Sequence, residues 1–207
     1  MDKAKIVAAI AYRLGNVRGQ TEAIEREMEM VISNLENDIF HPWFLLSFNN
    51  FYEGKAEEWR VPIPEDFLME YEEGALYLQM PDKSWTPLTK AAEEEVKTIS
   101  GTGMPKYYVL TNTVFRLFPT PDIDYTIEML YYRRTAGLPV DVNPWYLEAA
   151  EWLIWEVCAL MGYARRDKRA SEFASQAAVA KMKLVMKDEE RKEVNLETLV
   201  GGRTLWD

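Results

Sequence analysis

Residues 105–134, PKYYVLTNTVFRLFPTPDIDYTIEMLYYRR, run into NPWYLEAAEWLIWEVCALMGY (143–163) and then ARRDKRASEFASQAAVAKMKL (164–184). The first block reads as three strands, Tyr107–Leu110, Val114–Phe118 and Tyr125–Tyr132, because β-branched and aromatic residues cluster between turn signals. Thr111-Asn112 and Pro119-Thr120-Pro121-Asp122 are the turns. In the last strand Tyr125, Ile127, Met129 and Tyr131 alternate with Thr126, Glu128, Leu130 and Tyr132. The second set is only partly polar, so burial of both faces is expected. Asn143-Pro144 then opens a long helix, with Asn as N-cap and Pro in the first turn. Its apolar stripe is Leu147, Ala150, Leu153, Ile154, Val157, Leu160 and Met161. Gly162 and Arg165-Arg166 mark its end, where cations suit the helix dipole. A partner helix follows from about Asp167 to Glu190, with Ala170, Phe173, Ala174, Ala177, Ala180 and Leu184 on its inner face. Small residues at that spacing allow close approach of two helices.

Upstream of this block, residues 2–14 place Ile6, Val7, Ile10, Ala11 and Leu14 on one helical face. Gly15 and Gly19 bracket a turn. A second helix from about Gln20 to Asp38 buries Ala23, Ile24, Met28, Val31, Ile32 and Leu35 and turns its glutamates to water. His41-Pro42 stops it. WFLLSFNNFY (43–52) reads as an aromatic strand, EWRVPIPEDF (58–67) as an extended segment and turn, and 67–80 as two strands around Gly74. Thr89–Thr98 reads as a short acidic helix capped by Thr89.

The chain has 207 residues, 48% of them hydrophobic and 13% aromatic, which is the composition of a globular protein with a real core. Its net charge is −10, unevenly spread. Residues 1–164 carry 14 basic and 26 acidic side chains, whereas 165–192 carry nine and five. An acidic body disfavours tight binding to phosphates. One cysteine, Cys158, allows no internal disulfide, and with one histidine, His41, the chain lacks the ligands of a Cys/His zinc site. The N-terminal stretch MDKAKIVAAIAYRLGN is too short and too charged for a membrane span or secretory signal.

No constellation has the pattern of catalytic equipment. Gly101-Thr102-Gly103 lacks the GK[ST] ending of a phosphate loop and reads as a helix terminator. Glu72-Glu73 and Glu93-Glu94-Glu95 are runs of sequence neighbours, which point in different directions, and not a facing pair of carboxylates. His41 reads as a helix-end residue and Cys158 as a small buried hydrophobe. The basic run 164–169 reads as a solvated turn or as a surface that pairs with acidic faces of neighbouring copies. Two sets of residues point to assembly. Trp145, Trp152 and Trp155, with Arg165 and Arg166, are candidates for packing between copies. After the last helix, Val194, Leu196, Leu199, Val200, Leu205 and Trp206 compose an arm with a bend at Gly201-Gly202. A Trp beyond a flexible Gly-Gly fits a docking segment better than a frayed end.

The order of these segments resembles the head-to-tail adaptor (head completion, connector) proteins of tailed bacteriophages. The resemblance covers about residues 1–190. It is carried by Pro62 and Pro64-Glu65-Asp66-Phe67, by Pro105 with Tyr107-Tyr108, and by Phe118-Pro119-Thr120-Pro121. Tyr125-Thr126-Ile127, Tyr131-Tyr132, Asn143-Pro144-Trp145 and Arg166-Asp167 complete it. No single motif is specific; their order is. The expected fold is mostly α with a β-rich insertion, an α+β arrangement. An N-terminal helical hairpin (1–40) and a C-terminal one (141–192) form a helical bundle, 41–140 is the insertion, and 193–207 is an extended arm. The resemblance implies a structural, non-enzymatic subunit of the virion head–tail junction, made in the host cytoplasm. It implies a homo-oligomeric ring, commonly of twelve copies, that binds the portal protein and a tail or nozzle protein. Genomic DNA would pass through its channel without sequence-specific contacts. No cofactor, metal or membrane is implied. The alternatives are a carboxylate-based cell-wall hydrolase, which needs a facing pair of carboxylates, and another virion part such as a stopper or tail-tube subunit.

Overall fold

A computed structural model describes residues 1–16, 19–37, 41–71, 74–139 and 142–200, without the side chains of 48, 49 and 192–200. In chain order the elements begin with α1 (Lys3–Arg13) and α2 (Thr21–Glu36), then a 3-10 turn, Trp43–Leu45. Six strands follow: β1 (Leu46–Gly54), β2 (Arg60–Pro62), β3 (Phe67–Glu70), β4 (Leu76–Gln79), β5 (Trp85–Pro87) and β6 (Thr89–Lys90). Next come α3 (Glu93–Val96), β7 (Tyr107–Leu110), β8 (Val114–Phe118) and β9 (Tyr125–Arg133). The chain closes with α4 (Pro144–Glu148), α5 (Ala150–Ala164) and α6 (Ala170–Val200). It divides into two compact units: Met1–Leu45 with Thr135–Asp207, and Leu46–Arg134.

In the helical unit Asp2 caps α1 by accepting from the Lys5 N–H at 2.8 Å. Ile6, Val7, Ile10 and Leu14 are buried, as are Ile24, Met28, Val31 and Ile32 of α2, so most of both expected stripes faces inward, while Ala11 and Leu35 are half-buried and Ala23 is exposed. Between the helices Gly15 and Gly19 take φ values of 89° and 79°, which a side chain would oppose. Asn143 caps the next helix through the Trp145 N–H at 3.0 Å. That helix is not continuous. Ala149, at φ −117° and ψ 17°, separates α4 from α5. The break takes α4 off the stripe, so Trp145, Tyr146 and Ala149 are buried and Leu147 is exposed, while in α5 Leu153, Ile154, Val157 and Met161 are buried as expected and Leu160, at the edge of the stripe, is exposed. On α6 the buried residues are Ala170, Phe173, Ala177, Ala180 and Leu184, then Asp188. A Cβ added at Gly162 would lie 3.2 Å from the Ala170 Cβ. The two helices therefore meet at small residues.

The β unit is a pair of sheets around one core. One runs β1-β9-β4-β5, with β3 also on β9; the other runs β2-β8-β7-β6. The strands pair antiparallel except β6 with β7. Strand β9 pairs with β1, β3 and β4, so it lies inside its sheet. Tyr125, Ile127, Met129 and Tyr131 point into the shared core with Leu76, Leu78, Tyr108, Phe115 and Leu117. Glu128 and Tyr132, on the other face, are buried too, which is the two-sided burial the residues predict. In β1 the register slips between Ser47 and Asn50. Asn50 Nδ2 donates to Ser47 Oγ across that bulge at 2.9 Å.

The expectation of a mostly α chain is overturned. Helix makes up 42% of the chain and strand 24%, so the fold is α+β. Pieces as short as β2, β5 and β6 have too few residues to show a period; they become strands by pairing with neighbours. Thr89 is a case in point. It is no helix cap but a residue of β6, its N–H donating to Lys106 O at 2.9 Å. The acidic helix begins only at Glu93, after Ala92, whose N–H donates to the Glu95 carboxylate at 2.9 Å. Residues 43–45, expected in the aromatic strand, instead form the 3-10 turn. The last helix runs past the expected end at Glu190 to Val200.

Candidate assembly surfaces

Trp145 is 1% exposed and Trp152 is 4% exposed. The Trp145 ring meets Phe44 edge-on at 5.0 Å and Trp152 at 6.0 Å. Its Nε1–H donates to Glu36 Oε1 at 3.1 Å. Trp155 lies beside Phe173, with the Arg13 guanidinium 4.4 Å above its ring. The aromatic surplus expected to face a neighbouring copy is thus packed, for Trp145 and Trp152, inside its own unit. The helical unit has enough layers, α1 and α2 on α5 and α5 on α6, to cover both rings.

As a glutamate Glu36 is expected on the wet side of α2, yet it continues the row of Met28 and Ile32 at i+4 spacing and is buried. Its Oε1 also accepts from the Thr135 N–H at 2.9 Å and the Thr135 hydroxyl at 2.5 Å. A second buried carboxylate, Asp188, accepts from the Trp43 N–H at 2.6 Å. Lys187 and Arg191 lie 4.9 and 4.8 Å from the Trp43 ring. These groups pin the far half of α6 to the 3-10 turn within the helical unit. Both carboxylates continue i+4 rows of the buried faces, after Ile32 and after Leu184, but local rules do not find their donors, which are remote in sequence.

Arg165 and Arg166 are exposed at the α5–α6 turn. The turn is a Schellman cap: the Asp167 N–H donates to Gly162 O at 2.9 Å and the Arg166 N–H to Tyr163 O at 3.1 Å. Arg166 has φ 57°, a position that ordinarily takes glycine. Apolar surface lies instead on α6. Val179 (53% exposed), Met182 (67%) and Met186 (56%) share one face, opposite Phe173, Ala177, Ala180 and Leu184. Of the arm residues, Val194, Leu196, Leu199 and Val200 belong to the backbone of α6, while their side chains, and all of Leu205 and Trp206, lie outside the described residues.

The remaining sequence candidates have structural work. Glu93 pairs with Arg116 at 3.0 Å and Glu95 caps α3; Glu72-Glu73 lies outside the described residues. His41 Nε2 lies 3.3 Å from Glu36 O, at the end of α2. Cys158 is buried, and burial pushes its thiol up to about 11. Three core tyrosines in the β unit keep their hydroxyls on carboxylates: Tyr108 on Glu70 at 2.8 Å, Tyr125 on Asp122 at 2.9 Å and Tyr131 on Asp66 at 2.7 Å. Burial pushes Tyr125 and Tyr131 up to about 12 and Tyr108 higher still. Among the described residues no group of three His, Cys, Asp or Glu is placed to hold a metal ion, and no helix is long and apolar enough to cross a membrane.

The tyrosine–carboxylate pairs serve the core of the β unit, and the exposed apolar residues of α6 form one face of that helix. The profile of the SU10 adaptor proteins matches residues 1–198. The chain belongs to that family, a family of phage head-to-tail adaptors. The family is structural, and its place is the head–tail junction of the virion, between portal and tail proteins. No curated protein matches the chain.

Proposed function

We propose that this adaptor assembles as a ring beneath the portal, extends the DNA channel and offers a platform to the next tail protein. The observation that carries the reading is the exposed stripe Val179, Met182 and Met186 on a helix whose other face is already packed. A monomer gains nothing from such a stripe, whereas a repeated contact between copies buries it. Twelve copies is the expected number. Arg165 and Arg166, exposed at the α5–α6 turn, are further candidates for contact between copies, and the arm beyond Glu193 is a candidate for contact with the portal or a neighbour. The acidic balance of residues 1–164 suits a channel wall that repels phosphate and lets DNA slide. The test is electron microscopy and mass measurement of the protein mixed with its portal. A closed ring of many copies is the expected result; a chain that stays monomeric on the portal overturns the reading.

A further inference from the structure

We infer that the groove between α2 and the end of α5 receives the Trp206 side chain of a second copy of this chain. The inference rests on the ring reading above. The groove holds about 210 Å³ and is lined by Ala23, Leu160, Met161 and Ala164, with Arg26, Glu27 and Arg165. An apolar cavity of about 150 Å³ accepts benzene, so this one has room for a single indole. No ion pair joins Arg26 or Arg165 to a carboxylate among the described residues. One of their two charges is offset by Glu27. Residues 201–207 read GGRTLWD and carry an indole next to the Asp207 carboxylate, with their one basic side chain, Arg203, three residues before Trp206. Guanidinium groups stack on indole faces and pair with carboxylates, so the two chemistries match.

Reach decides which copy supplies the Trp. The groove sits at the α5–α6 turn, where Gly162 meets Ala170 at the beginning of α6. From there α6 runs for 31 residues to Val200, about 46 Å at 1.5 Å per residue. The six further residues to Trp206 span at most about 20 Å when fully extended. A chain's own Trp206 therefore falls short of its own groove by more than half the length of the helix. Donor and acceptor lie at opposite ends of α6, and such a head-to-tail contact repeats around a closed ring.

The experiment uses two full-length variants, Ala164→Cys at the groove and Leu205→Cys beside Trp206. They are mixed in equal amounts with the portal and oxidised. Buried Cys158, its thiol held up, stays out of the reaction. The expected result is a covalent pair that joins the two variants, at least fivefold more abundant than with Asn112→Cys, at the exposed β7–β8 turn, in place of Ala164→Cys. Adding Arg26→Glu and Arg165→Glu to the groove variant should cut its yield severalfold, with circular dichroism unchanged. Equal yields from the two cysteine positions overturn the inference. So does a link from the Leu205→Cys variant to the portal alone, which would make the portal the occupant. Mass measurement on the same samples separates the two readings: rings without the link refute the groove, whereas monomers refute the ring as well.

Discussion

Glu36 shows what one carboxyl oxygen can organise. It accepts from a main-chain N–H, a hydroxyl and an indole N–H on two remote segments. Removing it by Glu36→Ala leaves buried donors unmatched, at about 2–4 kcal/mol in all. Thermal unfolding should show a Tm lower by several degrees, and Glu36→Gln, which retains the oxygen, should lose much less. Glu156 carries the opposite sign. Burial raises its carboxyl above the usual range, and Lys181 offsets only part of this. The folded state therefore binds that proton more tightly than the unfolded one, and stability falls as pH rises through the carboxylate range. Glu156→Gln should raise the Tm at pH 7 by about 1–2 °C, an effect discounted for its partial exposure. The gain should vanish at about pH 3, where both states are protonated.

At the scale of elements, the α5–α6 pair depends on small residues. Gly162→Leu would push a side chain into Ala170, already 3.2 Å from an added Cβ. The expected loss is about 1–3 kcal/mol, measured by chemical unfolding, whereas Ala178→Leu on the exposed side should be near neutral. The β unit has a different logic. Its first strand pairs with its last, Leu46 opposite Tyr132, so its two ends are neighbours. A fragment of residues 44–136 should therefore fold alone, with a sharp cooperative melt. A fragment that shows only a broad, non-cooperative transition would mean that the core of Tyr108, Phe115, Ile127 and Tyr131 is incomplete without the helices.

At the scale of the whole molecule the arm and the ring are tested together. A chain cut after Val200 retains every buried residue of α6 named above, so its Tm should match the full chain within about 2 °C. Its assembly on the portal should weaken at least tenfold in a sedimentation assay. Unchanged assembly would make residues 201–207 a frayed end and not an arm.

The residues alone determined the segments whose order is local. Strands β7, β8 and β9, the Asn143 cap, the α1 and α2 stripes and the inner face of α6 all follow from periodicity and turn chemistry, which act over a few residues. The family, too, was legible in the order of those segments. Tertiary structure decided what local rules cannot see. Strands of two or three residues exist only because a partner pairs with them, and they complete two sheets whose combined extent makes the fold α+β and not mostly α. The break at Ala149 rotated the buried face of α4, covering Trp145 and exposing Leu147. Glu36 and Asp188 went inside because donors 99 and 145 residues away came to meet them. The candidate groove was invisible for the same reason: Ala23 and Arg165 are distant in sequence, and only the packing of α2 on α5 makes them line one space.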